Sequence, residues 1–191
     1  MRELRENKES AERRNEFVDA AEKLFRQNGI MDTTINSIVK EMNVAKGLFY
    51  YYFNSKEDVI EAISEKYSSA FRSMMAQQEE CPDFADMLER TVETSVRSFI
   101  DLLNRLHTTD EGVDLTPLSM RSIKDAREAI SSRLEELIRE GNRLGELHAR
   151  YEKYLADMLA GGLTELAKKG EATAEEITDI ITDLIRQSGK E

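Results

Sequence analysis

Residues 43–58, NVAKGLFYYYFNSKED, set Tyr50, Tyr51 and Tyr52 between Phe49 and Phe53, with Lys46 and Lys56 on either side. Wound as a helix at 100° per residue, the stretch divides in two: Ala45, Phe49 and Phe53 fall on one side, and Lys46, Gly47, Tyr50 and Tyr51 on the other. The second arc has the chemistry of a surface that meets nucleic-acid phosphates. Lysine supplies positive charge, tyrosine hydroxyls donate to phosphate oxygens, and glycine lets a helix backbone approach a duplex closely. Gly47 would otherwise cost about 1 kcal/mol relative to alanine inside a helix. Lys56, opening a following helix, adds a charge beside free backbone amides, and Thr34 offers a hydroxyl at the start of a preceding one. Between Asn36 and Lys56 the basic residues are Lys40, Lys46 and Lys56 and the acidic one is Glu41, in a chain of net charge -11. The local sign is reversed. For Tyr52, near the Phe49/Phe53 side, packing and phosphate contact are both open; three adjacent helical tyrosines diverge too far to make a stacking platform for single strands.

Nothing comparable points to catalysis. The chain has no glycine-rich phosphate loop and no nucleophile elbow, and its two histidines, His107 and His148, lie far apart and read as surface residues. Glu135, Glu136 and Glu140 read as a solvated helix face. Cys81 is the single cysteine, which excludes an intramolecular disulfide and a cysteine-based zinc site and fits a reducing, cytoplasmic compartment. No catalytic, metal or cofactor site is expected. Arg2, Arg5 and Lys8 alternate with Glu3, Glu6 and Glu9 and read as a solvated extension of the first helix. No signal-peptide core is present, and no apolar run approaches the roughly 20 residues of a membrane span.

Helices must position these groups. Two prolines and nine glycines among 191 residues, with 34% charged side chains, predict an all-α protein of about nine helices. In the first helix Phe17, Ala20, Ala21, Leu24 and Phe25 keep helical spacing before the stop at Asn28-Gly29. A short second helix, capped by Thr33 or Thr34, buries Ile35, Ile38, Val39 and Met42. Asn43 takes the sharp turn, since asparagine enters the left-handed region cheaply, and a helix from Ala45 to Phe53 follows. Ser55 with Asp58 caps a fourth helix striped by Val59, Ile60, Ile63, Tyr67, Phe71, Met74 and Met75. A long helix runs from Phe84 to Leu106, residues 107–118 read as a loop, and a further helix through Ile130 and Ile138 is interrupted from Gly141 to Leu147. The last two helices carry Tyr154, Met158 and Leu166, then Ile177, Ile181 and Leu184 behind a Thr173/Glu176 capping box.

Two short helices joined by a tight turn and preceded by a packing helix form a helix-turn-helix duplex reader. Residues 33–60, TTINSIVKEMNVAKGLFYYYFNSKEDVI, resemble the signature of the tetracycline-repressor-like (TetR) transcriptional regulators. In that signature a threonine pair opens helix two, Val44 closes the turn, Lys46-Gly47 and Tyr50 lie in the recognition helix, and Tyr52-Phe53 then Lys56-Glu57 lead into helix four. The resemblance implies DNA contacts at Thr34, Lys46, Gly47, Leu48, Tyr50, Tyr52 and Lys56, with Asn36 and Ala45 as additions. It also implies a helix-turn-helix domain over residues 1–54, with the motif at about 33–53, and a helical ligand-binding and dimerisation domain over 55–191. Three residues depart from the pattern: Asn43 stands for the usual glycine, Met42 for alanine, and Ala45 for a capping serine or threonine. Ala45 removes one hydroxyl from phosphate anchoring.

For the remainder, Tyr154, Met158, Gly161, Gly162, Leu166, Ile177, Ile181 and Leu184 make a candidate homodimer interface, the paired glycines permitting close helix approach. Kinking inside a monomer core is the competing account. Met74, Met75, Phe84, Met87, Thr91, Ser95, Phe99 and Met120 could surround a small, mostly apolar effector, or be plain core. The expected function is a ligand-responsive regulator, usually a repressor in this family, bound to a palindromic double-stranded operator. A transcriptional activator of the same fold, or a helical interaction protein that has lost DNA binding, stays open. Residues 1–70 hold 11 basic and 13 acidic side chains and residues 71–191 hold 16 and 25, so the acidity belongs mainly to the second part.

Overall fold

The structure is a computed structural model that describes residues 2–76, 83–107 and 113–188, with residues 2–7 described as helical backbone only. Cys81 and the side chains of Arg2 and Arg5 lie outside the described residues. The described chain is all-α: α1 (Arg2–Asn28), α2 (Ile35–Glu41), α3 (Lys46–Tyr52), α4 (Lys56–Met75), α5 (Phe84–Leu106), α6 (Thr116–Leu144), α7 (Glu152–Lys169) and α8 (Ala174–Gln187). Two units make up the molecule: Met1–Tyr67 with Leu106–Ser122, and Ser68–Arg105 with Ile123–Glu191. The division therefore falls within α4 rather than at residue 54, and a later segment, residues 106–122, joins the first unit.

Local chemistry explains most helix ends. α1 stops at Gly29, whose φ of +83° puts it in the left-handed region, and its amide donates to the Phe25 carbonyl at 2.9 Å. Thr34, not Thr33, caps α2: its hydroxyl oxygen accepts from the Ser37 amide at 3.0 Å and the Ser37 hydroxyl accepts from the Thr34 amide at 3.0 Å. Thr33 is buried and turns its hydroxyl back to the Gly29 carbonyl at 2.8 Å. At α4 the Ser55 hydroxyl oxygen accepts from the Asp58 amide at 3.1 Å, and Asp58 accepts from the Asn54 amide at 2.9 Å. Thr173 and Glu176 form the expected capping box of α8.

α6 is longer than its sequence suggests at both ends. It begins at Thr116 because the Asp114 carboxylate accepts from the Thr116 amide at 2.8 Å, and Pro117 sits in the first turn, where a missing N–H costs nothing. It runs through Gly141 because that glycine is a packing necessity. A Cβ there would stand 2.7 Å from the Leu147 side chain and would collide with the Phe84 ring. The chain then leaves through Gly145 at φ +78°, with the Glu146 and Leu147 amides both donating to the Gly141 carbonyl. Asn142 closes the connection: its side chain donates to the Ala149 carbonyl at 2.9 Å and accepts from the Ala149 amide at 2.9 Å.

The first unit is centred on Phe17, Phe25, Ile38, Phe49 and Ile63, each essentially inaccessible to water. In the second, Leu88, Phe99, Ile130, Leu134, Ile138 and Leu163 play that part.

Candidate nucleic-acid interface

The candidate surface is built by wedging one side of α3. Phe49 and Phe53 pack with Phe17 of α1, ring centroids 5.7 to 6.3 Å apart, inside the range in which aromatic pairs attract through their quadrupoles. α2 is held by Ile38 and Val39, and the Val44 amide reaches back to the Val39 carbonyl at 3.0 Å across the turn. Asn43 makes that turn at φ +53°, as its position in the sequence predicts. Seven-residue helices have little stability of their own. Here both are held by burial.

With one side committed, the other is presented. Lys46, Gly47, Tyr50 and Tyr51 are exposed, Tyr50 by 49% and Tyr51 by 74%, and the Lys46 ammonium lies 5.9 Å from the Tyr50 ring centroid. Thr34, Asn36 and Ala45 are also exposed, and Leu48 is half-buried. Ala45 has the extended conformation of a capping residue but supplies no side-chain bond, so the amides at the start of α3 lack the cap that Thr34 gives α2. Gly47 has open space around it: a Cβ would meet nothing within 4 Å. Nothing within the protein requires glycine there. Tyr52 is half-buried with its ring 5.8 Å from Phe17, which puts it on the packing side of the helix, and Tyr51 stands edge-on to it. Tyr51 is the residue that the signature-based contact set omits, although its place on the arc with Lys46 and Tyr50 singles it out. Lys56 is half-buried, and its ammonium donates to the carbonyls of Ile30 at 2.7 Å and Thr33 at 3.1 Å.

Behind this surface a charged cluster joins α1 to α4. Lys66 donates to Asp19 and Glu22, both at 2.8 Å, and the Tyr67 hydroxyl donates to Glu22 while accepting from Arg26. Burial pushes the Glu22 carboxyl up, but the hydrogen bonds from Lys66 and Tyr67 and the charges of Lys66 and Arg26 outweigh it and hold the group below the usual carboxylate range. Burial, then the neighbouring Glu22 carboxylate, push the Tyr67 phenol up to about 12.

In the second unit the structure separates the remaining candidates. Met75, Phe84, Ser95 and Phe99 are buried, and Met74, Met87 and Thr91 half-buried. The Ser95 hydroxyl is spent on the Thr91 carbonyl at 2.7 Å. Met120 belongs to the first unit and is 68% exposed. α8 is apolar over a wide arc. Ile177, Ile181 and Ile185 fill the unit's own core, while Ile180 and Leu184 are exposed. On α7, Tyr154 and Met158 are exposed, Gly162 is exposed, and Gly161 and Leu166 are half-buried; a Cβ at either glycine would meet nothing within 4 Å. The exposed large apolar side chains here are thus Tyr151 just before α7, Tyr154 and Met158 on α7, and Ile180 and Leu184 on α8. The α8 residues Ile177, Ile180, Ile181, Leu184 and Ile185 span one arc of about 140°, of which the core claims the side carrying Ile177, Ile181 and Ile185 and leaves Ile180 and Leu184 at the open edge.

The sequence model described as bacterial regulatory proteins of the tetR family matches residues 17–63, and the one described as a tetracyclin repressor-like C-terminal domain matches residues 81–188. The chain is 24% identical over 158 residues to the HTH-type transcriptional regulator TtgR of Pseudomonas putida, covering 76% of this chain and 75% of TtgR. It is 26% identical over 191 residues to the HTH-type transcriptional regulator LmrA of Bacillus subtilis, covering 91% and 97%. Among solved structures, a transcriptional regulator of the TetR/AcrR family from Thermobifida fusca shares the fold with a TM-score of 0.62 at 22% identity, over 94% of this chain and 100% of that one. The fatty acid degradation regulator FadR from Bacillus halodurans does so with a TM-score of 0.62 at 21% identity, over 90% and 93%.

Proposed function

This chain belongs to the tetR family of bacterial regulatory proteins, which are transcriptional regulators and not enzymes, and from that premise we propose that it is a homodimeric repressor whose α3 enters the major groove of a palindromic operator. The observation that carries this reading is the exposed Lys46, Gly47, Tyr50 and Tyr51 arc on a short helix whose opposite side is locked by Phe49 and Phe53. Lys46 and the tyrosine hydroxyls would meet phosphates, Gly47 would allow the α3 backbone close to the groove, and Leu48 would touch base edges. Thr34 and Asn36 at the start of α2 would anchor the flanking backbone, and Tyr52 would add its hydroxyl at the rim while its ring packs on Phe17.

The exposed apolar side chains of α7 and α8 support a two-fold partner, because Tyr154, Met158, Ile180 and Leu184 stay in water in the single chain and the open faces of Gly161 and Gly162 would admit a second helix closely. Leu166 would sit at the edge of that contact, and Ile177 and Ile181 support it from beneath. Two-fold symmetry places two recognition helices about 34 to 36 Å apart, one turn of DNA. A small, mostly apolar effector, accommodated among Met74, Met75, Phe84, Met87, Thr91 and Phe99, would release the operator by binding one domain posture better than the other.

Selection of bound sequences from a random duplex pool tests the reading directly. An inverted repeat with half-sites about 10 base pairs apart is expected, retained by a species of twice the chain mass. A pool that returns no enriched sequence, or a protein that sediments as a monomer at micromolar concentration, defeats it.

A further inference from the structure

By residue type and position Lys56 reads as a phosphate contact, yet its ammonium is turned into its own protein. Two of its three protons go to the carbonyls of Ile30 and Thr33, 2.7 and 3.1 Å away, and the side chain is half-buried. Both carbonyls belong to the turn between α1 and α2. That turn, residues 29–34, has no helical ladder of its own, and buried backbone groups need partners. It is held at two more points within the same unit: the Ile30 amide donates to the Asp114 carbonyl at 3.1 Å and the Thr33 hydroxyl donates to the Gly29 carbonyl at 2.8 Å. The segment at Asp114 also lies close, since a Cβ on Gly29 would stand 3.3 Å from the Asp114 amide nitrogen. The two peptide groups flanking Ile30 are thus both pinned, one through the Ile30 N–H by the segment before α6 and the next through the Ile30 C=O by the first residue of α4.

The position of this turn matters because its last residue, Thr34, caps α2, and α2 leads into α3 through the tight Asn43 turn. We propose that Lys56 is a positioning residue for duplex recognition: it clamps the α1–α2 turn to the start of α4 in the posture in which α2 and α3 meet the groove, and makes no phosphate contact. This rests on the reading of the α2–α3 face as a duplex-binding surface. Without the clamp the turn samples other postures. If the competent posture falls to about one molecule in ten, the apparent Kd rises about tenfold. It rises equally at every salt concentration, because no charge that neutralises a phosphate has been lost. Removing a phosphate contact instead flattens the slope of log K against log salt by about 0.9.

The test compares wild type, Lys56→Met, Lys56→Arg and Lys46→Met, each titrated with the duplex selected from the random pool between about 50 and 200 mM NaCl, well below its own Tm. Lys46→Met is expected to flatten the slope. Lys56→Met is expected to bind about tenfold more weakly with the wild-type slope, and Lys56→Arg to bind more weakly too, since a planar fork does not converge on two carbonyls as an ammonium does. A slope flattened by about 0.9 in Lys56→Met, with Lys56→Arg like wild type, overturns the proposal in favour of a phosphate contact. Unchanged affinity and slope beside a lowered Tm overturns it in favour of a purely structural lysine. Where Lys56→Met does not fold, Lys56→Arg decides alone, and wild-type affinity in that variant overturns the proposal. A wild-type protein that binds neither the selected nor a random duplex defeats the DNA-binding reading itself, an outcome read before any variant is made.

Discussion

One added methyl group, Gly47→Ala, is expected to move stability and binding in opposite directions. Gly47 is the second residue of α3, exposed, with φ outside the left-handed region, and a Cβ there meets nothing within 4 Å. Alanine is favoured over glycine in a helix interior by about 0.8 to 1.0 kcal/mol, and no clash offsets this gain. The position is near a helix end, so a gain of about 0.5 to 1 kcal/mol is expected. For a chain of this length that corresponds to a rise in Tm of about 2 to 4 °C per kcal/mol. If the α3 backbone lies against a groove, the same methyl group occupies space that the duplex needs. Overfilling a close contact costs about 1 to 3 kcal/mol, or roughly a five- to 150-fold weaker Kd. Calorimetry and titration with the selected duplex at one fixed salt concentration read the two effects separately. A stabilised variant with wild-type affinity would show that Gly47 is not at the interface. A destabilised one would refute the open helical environment from which both effects are derived.

Ala45→Ser tests the missing cap: Ala45 already has capping dihedrals, φ -72° and ψ 144°, so a hydroxyl there is expected to stabilise by about 1 kcal/mol and to slow amide exchange at the start of α3, where unchanged exchange would count against the geometry. Met158→Glu places a charge on the proposed interface, where Met158 is 75% exposed; the variant is expected to keep its Tm as a monomer and to sediment as one at concentrations where a dimeric wild type is expected, and an undisturbed dimer would move the interface elsewhere. Glu22→Gln tests the cluster between α1 and α4. A carboxyl with a depressed folded-state pKa stabilises above its unfolded value, about 4.3, and that contribution is lost as pH falls through the lower folded value. The urea midpoint of the wild type should therefore fall below about pH 4.3 more steeply than that of Glu22→Gln, whereas parallel acid limbs would show that Glu22 carries no such linkage. Tyr67 has the opposite sign: its contribution is present below about pH 10 and lost as pH rises towards about 12.

The features legible in the sequence are those fixed within a few residues of chain. Asn43 at positive φ, the Ser55/Asp58 cap, the Thr173/Glu176 box and the Phe49/Phe53 side of α3 all follow from i to i+4 relations, and all are present. What sequence reading missed depends on partners far along the chain. Gly141 looks like a break until Phe84, 57 positions earlier, is found where its Cβ would stand. Thr-Pro at 116–117 is the exception, because Asp114, only two residues before Thr116, caps it through a local relation that reading the stretch as a loop overlooked. Lys56 is 26 residues from Ile30. Its charge was legible, but the carbonyls that receive it were not. α8 misled for another reason: five apolar residues in nine positions cover a wide arc, and periodicity alone does not say which side of it a core claims.

How an acidic chain can hold a duplex follows from which charges are within reach of a phosphate. At physiological salt the Debye length is about 8 Å, so charges beyond that distance are largely screened. On α2 and α3 the exposed cations are Lys40 and Lys46. The one acid between Asn36 and Lys56, Glu41, is paired with Lys23 of α1 at 2.6 Å. That pair is exposed and adds little to stability, but it offsets the one acidic charge on α2 and α3. Beside these cations α3 exposes the neutral hydroxyl-bearing side chains of Tyr50 and Tyr51, and a phosphate contact made by such a hydroxyl would release no counterion. A surface of this kind gains little from charge alone on an arbitrary duplex, and the acidity of the rest of the chain further disfavours indiscriminate adhesion. On the proposed reading, discrimination then falls to shape: how closely the backbone at Gly47 would approach the groove, and what Leu48 would meet there.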